Sequence, residues 1–440
     1  MPSDQGPQNV IWIFGDQHRA QALGYMGDPN LATPHIDRLA SEGVTFSNAV
    51  AGCPWCTPFR GSLLTSFYIH HAVQRTPQRI DPDLPMVTDV FNEQGYLTAY
   101  LGKWHLGGSN HILHIPREER GRFDIWIGYE NNNAQYDCWV HGHDLHGRDD
   151  REAHAEKLEG YETDALTDRL IGFLAEYGNG PRPFFAVLSV QPPHNPHDAP
   201  PEYAHRHDPA HVVLRPNVPD IPRIAAQARA ELAGYYAQIE NLDWNVGRVM
   251  AALRGLGLEG TTHVVFFSDH GDMHGSHGYV RKSSPWEEAV RIPCIFRPAG
   301  GERVSAESDA PFNHVDFAPT TLGLCGIAKP DWMQGTDFSH HILPGRPPPA
   351  REPDSAFLQH SFRKRFDCLN RVWRGVRTTD GWKYICLEGQ PLMLYNLNED
   401  PYELNNLAFL DAFNGKRAEL QAALADWLER TGDQFLLPEL

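Results

Sequence analysis

Val10-Ile11-Trp12-Ile13-Phe14 runs without a break into Gly15-Asp16-Gln17. A short continuous apolar run of β-branched and aromatic residues predicts a strand buried on both faces. Strands of that kind belong to parallel sheets, whose functional groups gather beyond the carboxyl ends. Asp16 and Gln17 stand at such an end. Further strands are predicted at Leu97 to Leu101, Phe184 to Val190 and His263 to Phe267, the last delivering Asp269 and His270. Helices are predicted at Pro34 to Glu42, Pro58 to Ser66, Met86 to Gln94, Asp164 to Tyr177, Ile224 to Leu253 and Asp316 to Leu324. The alternation implies an α/β fold with a large, mostly parallel central sheet flanked by helices on both faces.

A proline-rich break, Pro344 to Pro353, divides the chain into a catalytic α/β domain, residues 1–345, and a C-terminal subdomain, residues 346–440. Trp373 to Thr378 and Trp382 to Leu387 read as paired strands around the Thr379-Asp380-Gly381 turn, with Leu392 to Asn396 following. A helix from about Asn414 to Thr431 gathers Leu420, Leu424, Trp427 and Leu428 on one face. A smaller antiparallel sheet with a packed helix is therefore expected there.

The length of 440 residues allows a large core, and 41% hydrophobic with 21% charged residues is the composition of a soluble globular protein. A formal charge of −18 argues against a nucleic-acid partner, which needs a basic face. Attraction of an anionic ligand has to come from local charge. Seven irregularly spaced cysteines do not describe a disulfide framework. No apolar run is long enough to span a membrane, and the first one is shorter than a signal segment and lacks a basic flank. A cytoplasmic location is the expectation.

The second informative stretch is Cys56-Thr57-Pro58-Phe59-Arg60-Gly61-Ser62-Leu63-Leu64-Thr65. Pro58 suits the first turn of a helix, where its missing N–H has no partner to lose. Cys56 then lies at or just before the helix N-terminus, which favours negative charge, and Arg60 shares its face. A sulfur nucleophile and a bidentate guanidinium are aimed at one spot. Buried structural sulfur is one alternative. A redox pair or half a zinc site with Cys53 is another, although no second Cys-x-x-Cys exists.

The Cys-x-Pro-x-Arg pattern followed by Leu-Leu-Thr resembles the signature of the type I sulfatases of the alkaline phosphatase superfamily. That resemblance implies that Cys56 is oxidised to formylglycine by a formylglycine-generating or anaerobic maturation enzyme. It departs at Thr65-Ser66, where the family usually has Thr-Gly. Gly102-Lys103-Trp104-His105-Leu106-Gly107 looks like a second sulfatase motif; by resemblance Lys103 binds ester oxygens and His105 is the base that collapses the covalent intermediate. As residues i and i+2 of an extended segment, the two are expected on one side. His194, in Gln191-Pro192-Pro193-His194-Asn195-Pro196-His197, resembles the family's proton donor to the leaving group. Lys282 precedes a Val290-Arg291-Ile292-Pro293 segment similar to the family's and is implied to grip the ester.

Asp16, Gln17, Asp269 and His270 make a mostly-oxygen cation site, to which the resemblance adds residue 56. Gln17 stands where many sulfatases have a second Asp, so whether it touches metal or substrate, and whether the ion is Ca2+ or Mn2+, stays open. Phosphonate monoester hydrolases are similar at this Asp-Gln position. The implied activity is hydrolysis of a small-molecule or saccharide sulfate ester, with phosphonate monoester or phosphodiester hydrolysis, or non-catalytic anion binding by an unoxidised Cys56, as alternatives. Gly128 to Arg151 reads as a long surface loop, its His141, His143, Asp144 and His146 a remote second metal set, and Thr163 as the N-cap of the following helix. Oligomeric state is not legible.

Overall fold

Val10, Trp12 and Phe14 bury against one face of the first strand's sheet, and Ile11 and Ile13 against the other. That two-sided burial is why the strand reads as an unbroken apolar run. The computed structural model describes residues 8–109, 114–146, 155–300, 304–362, 369 and 371–439. Its ten-stranded sheet comprises β1 (Asn9–Gly15), β2 (Val44–Phe46), β3 (Leu97–Lys103), β4 (Ile125–Tyr129), β5 (Trp139–His143), β6 (Glu156–Lys157), β7 (Phe184–Val190), β8 (Thr262–Ser268), β9 (Cys294–Arg297) and β10 (Ala306–Ser308). The spatial order is β10-β2-β9-β8-β1-β7-β3-β4-β5-β6. The centre, β8-β1-β7-β3-β4, is wholly parallel, and antiparallel pairing is confined to the flanks.

One face of the sheet packs on Phe59, Leu63, Phe91, Phe317 and Leu322 from the helices Cys56–Thr65, Val87–Glu93 and Phe317–Leu324. The other packs on Ile36, Leu39, Leu166, Leu170, Leu242 and Val246 from Pro34–Glu42, Glu162–Tyr177 and Pro222–Gly255. Trp12 anchors the first face. Its ring meets Phe185 edge-on at 4.9 Å, and its Nε1 donates to Thr321 Oγ1 at 3.0 Å, so the buried indole leaves no polar atom unpaired. Among the described residues no helix is long and apolar enough to cross a membrane.

The second sheet is the expected antiparallel one, joined by a strand that polar flanks obscured: β11 (Ser355–His360), β12 (Trp373–Thr378), β13 (Trp382–Leu387) and β14 (Gln390–Asn396). One face packs Phe357, Val376 and Leu394 on Leu420, Leu424, Trp427 and Leu428 of the helix Asn414–Thr431. The opposite face packs Leu358, Trp373 and Ile385 on Val50, Met273, Trp286 and Val290. The small sheet thus clamps the 273–290 segment, which carries Lys282, against the main body.

Two expectations need correction. Gly128 to Arg151 is no simple surface loop: β5 pairs antiparallel with the end of β4 and buries His141 and His143 (residues 147–151 lie outside the described residues). Those histidines serve separate partners, His141 Nε2 accepting from Ile115 N and His143 Nε2 bonding Phe123 O, while His146 sits beside Glu176. Strand periodicity was hidden by Trp139-Val140-His141-Gly142-His143, whose polar residues are buried rather than solvated. Thr163 is not an N-cap. The helix starts at Glu162, whose buried carboxylate accepts from Gln191 N at 3.0 Å and Tyr129 OH at 2.6 Å.

Beneath the small sheet, fully buried Lys383 donates to Glu287 Oε1 at 3.0 Å and Pro285 O at 2.8 Å and pairs with Glu403. Removing one partner of a buried pair leaves uncompensated charge. Lys383→Ala is expected to destabilise the fold by about 3–5 kcal/mol in urea denaturation.

Candidate active site

Four neighbouring parallel strands end on the same edge of the sheet, and each delivers polar residues there. Asp16 and Gln17 follow β1, Asp269 and His270 follow β8, Lys103 ends β3, and the loop after β7 carries His194. Gly102 makes the close approach of β3 possible: it holds φ +109°, and a Cβ there would lie 2.0 Å from Ser189 O. The helix Cys56–Thr65 brings Cys56 to this edge in its first turn. It ends at Ser66 in the left-handed conformation, φ 55°, which is where a glycine is easiest. Ser66 is held there by its hydroxyl, which donates to Val315 O at 2.7 Å and accepts from Gly335 N at 3.1 Å.

Cys56 Sγ lies 3.4 Å from Asp16 Oδ1, 3.1 Å from His270 Nε2 and 3.1 Å from Lys282 Nζ. Arg60, one turn along the helix, reaches Asp16 Oδ2 at 3.1 Å and Asp269 Oδ2 at 3.4 Å. Its other nitrogen donates to Lys103 O at 2.7 Å and Ser189 Oγ at 2.8 Å. Lys103 Nζ contacts Asp16 Oδ2 at 2.7 Å. Lys282 also donates to Gln17 Oε1 at 2.8 Å and faces the Trp55 ring at 5.4 Å. With its histidines neutral, the cluster sets three cationic groups against two carboxylates, a positive site within a strongly acidic chain.

The donor set fits a divalent cation. Asp16, Cys56, Asp269 and His270 each present one ligand atom, all within 4.8 Å of one another and all buried. His270 Nδ1 is engaged with Gly271 O at 2.9 Å, so Nδ1 carries the hydrogen and the Nε2 lone pair faces the carboxylates. That lone pair is 3.5 Å from Asp269 Oδ1 and 3.8 Å from Asp16 Oδ1, and among the described residues Asp269 Oδ2 has only the long Arg60 contact at 3.4 Å. Burial, then the neighbouring Asp16, pushes the Asp269 carboxyl up to about 7. Burial would also raise Asp16, but Lys103, His194, Lys282 and Arg60 outweigh it and hold the group well below the usual carboxylate range.

His105 and His194 border this cluster. Burial, followed by Lys103 and Arg60, holds His105 well below the ordinary imidazole range, and both its ring nitrogens are without hydrogen-bond partners. Strand alternation does not place it beside Lys103 as expected: β3 stops at Lys103 and His105 turns to φ 56°. Burial and then Lys282 likewise depress His194, whose Nδ1 bonds Asn195 O at 2.6 Å. Left-handed backbone also occurs at Gln17, His274, His277, Arg281 and Ser283. Strain of this kind persists where surrounding contacts over-determine it, and here it concentrates around one site.

Three supporting groups escaped sequence reading. Asp272 Oδ1 accepts from His274 N and Arg281 N, both at 2.9 Å, closing the loop before Lys282. Its Oδ2 accepts from Gln17 Nε2, so Asp272, Gln17 and Lys282 form one chain of hydrogen bonds. Ser189 and Tyr100 hold the Lys103 carbonyl, Ser189 at 2.9 Å. The visible signals were an extra acid in Asp269-His270-Gly271-Asp272 and a lone serine in an otherwise apolar strand.

Known proteins agree with this architecture. A family model described as Sulfatase matches residues 8–327, and one described as N-sulphoglucosamine sulphohydrolase, C-terminal, matches residues 275–432. The ulvan-active sulfatase of Formosa agariphila is 35% identical, with 97% of this chain and 82% of that protein covered. A sulfatase structure from Bacteroides fragilis superposes with a TM-score of 0.85 at 27% identity, covering 99% of this chain and 98% of that one. The phosphonate monoester hydrolase of Agrobacterium radiobacter shares the fold, with a TM-score of 0.77 at 21% identity and 96% of each chain covered. The chain belongs to the sulfatase family of the alkaline phosphatase superfamily, and it is a sulfatase.

Proposed function

We propose that the protein hydrolyses a sulfate monoester of a saccharide or aryl alcohol, with residue 56, matured to formylglycine, as the nucleophile. The observation that carries this reading is the convergence of Cys56, Asp16, Asp269, His270, Arg60, Lys103 and Lys282 on one buried point. As an aldehyde hydrate, residue 56 supplies an oxygen nucleophile that later releases sulfate by C–O cleavage. The Cys56 thiol is 1% exposed, so a maturation enzyme has to reach it before the chain folds. The saccharide class is supported by the sugar named in the C-terminal family match.

Asp16, Asp269, His270 and residue 56 would hold a divalent cation, Ca2+ or Mn2+, which neutralises the carboxylates and stabilises charge on sulfate oxygens. Gln17 Oε1, which accepts from Lys282, keeps a second lone pair with which it could join them. Arg60, Lys103 and Lys282 bind the ester oxygens and contribute more as charge builds there. His194 is neutral until the anionic ester raises its proton affinity, and then protonates the departing alcohol. His105, neutral in its buried position, accepts the proton given up when sulfate leaves. The division of the chain at residue 345 is retained in this reading, with the small sheet bracing Lys282.

The Cys56 peptide of natively produced protein is expected to be about 18 Da lighter than its thiol form by mass spectrometry. An unmodified peptide with retained sulfate binding would make the protein an anion-binding module. Cys56→Ala should abolish turnover, and Lys282→Met should lower kcat by about 10²–10³-fold on aryl sulfates. Higher kcat/KM on a matched aryl phosphonate would favour the phosphonate reading, which Gln17 motivates. Because a protonated Asp269 competes with the cation, metal affinity should fall about tenfold per unit as pH drops below about 7. Isothermal titration with Ca2+ and Mn2+ between pH 5.5 and 8, limits chosen to bracket roughly that value, checks the sign.

A further inference from the structure

His197, Glu231 and His274 bring one ligand atom each to within 4.8 Å of one another, outside the residues assigned above. They come from three segments: the loop that carries His194, the long helix Pro222–Gly255 and the loop leading to Lys282. His197 Nδ1 pairs with Gln238 Oε1 at 3.1 Å. The Gln238 amide nitrogen donates to Pro196 O at 3.1 Å, so its oxygen is the acceptor and His197 Nδ1 carries the hydrogen. His197 Nε2 is therefore a lone pair, buried and without a partner among the described residues.

His274 is fully buried, and among the described residues neither ring nitrogen has a hydrogen-bond partner. Its Nδ1 lies 3.6 Å from Glu231 Oε2 and its Nε2 3.7 Å from Asp272 Oδ2. Lone pairs and carboxylates crowded in this way repel unless a cation lies among them. Arg281 supplies part of that charge: it reaches Glu231 Oε2 at 2.8 Å, Glu231 Oε1 at 3.4 Å and Asp272 Oδ2 at 3.8 Å. One guanidinium against two carboxylates still leaves a negative charge, and a carboxylate oxygen has lone pairs for a second partner.

We infer that His197, Glu231 and His274 form a second metal site, for a zinc-class divalent ion, beside the oxygen-rich site at Cys56. Two imidazoles and one carboxylate suit a borderline ion, whereas the carboxylate-rich set suits a harder one. Gln238 fixes the His197 tautomer, and Arg281 orients the Glu231 carboxylate, as outer partners of metal ligands do. The ion's place in the fold is a positioning one. It joins the His194 loop to the Lys282 loop, and Asp272, two residues from His274, leads through Gln17 to Lys282. Glu231, 18% exposed, gives the ion a route from solvent.

The test uses the full chain stripped with chelator and titrated with zinc alone, then with Co2+ alone. Zinc stoichiometry is read by calorimetry and ligand geometry by the visible cobalt bands. Asp269→Asn, which disables the Cys56 cluster, should leave the zinc equivalent and the cobalt bands in place. His197→Ala and Glu231→Gln should each remove that equivalent, and Gln238→Leu should weaken it by roughly 10–100-fold. Zinc binding and cobalt bands that His197→Ala and Glu231→Gln leave unchanged would overturn the site. So would an Asp269→Asn protein that binds no zinc. Glu231→Gln preserves shape at a partly exposed position and decides the matter if His197→Ala fails to fold.

Discussion

Arg60 lies between two carboxylates at the bottom of the site, and the arrangement depends on that wedge. Asp16 and Asp269 come from adjacent parallel strands, and without a cation between them their burial side by side would be strongly unfavourable. The guanidinium holds both acids through Nη2 while its Nη1 donates to Lys103 O and Ser189 Oγ, which anchors β3 and β7 to the same point. One side chain therefore ties the helix that carries Cys56 to the strands that deliver Asp16, Asp269 and Lys103. Phe14 covers the guanidinium at 5.1 Å and keeps water from screening these contacts.

The upper wall is built differently. Lys282 sits on a loop rather than a strand end, and its aim comes from hydrogen bonds to Gln17 and from a loop closed by Asp272. The small antiparallel sheet completes the support by packing on Met273, Trp286 and Val290 on either side of the lysine. Left-handed backbone at Gln17, Arg281 and Ser283 is tolerated because these contacts leave no alternative path. The small sheet thus bears directly on how the segment carrying Lys282 is held.

Charge is organised by depth. The chain as a whole carries −18, yet three cations converge at the site, where the low local dielectric makes them effective. Attraction of an anion is therefore a short-range property of this cluster. The neighbouring His197, Glu231 and His274 cluster differs in composition, with two imidazoles and one carboxylate, the latter held by Arg281.

The sequence by itself determined the parallel core, the C-terminal sheet and the identity of most polar groups at the strand ends. Burial on both faces leaves a continuous apolar run such as Val10 to Phe14, and a strand's end is marked by the first polar residues after it. Motif order singled out Cys56, Arg60, Lys103, His105, His194 and Lys282 as candidates. Only the tertiary structure decided which atoms meet. That Gln17 holds Lys282, that Asp272 closes the loop, that His141 and His143 are buried in a strand, and that Ser66 can replace glycine all depend on partners distant in the chain. Hydrogen bonds between remote segments leave no periodicity in a sequence, because either partner alone reads as an ordinary polar residue in a loop.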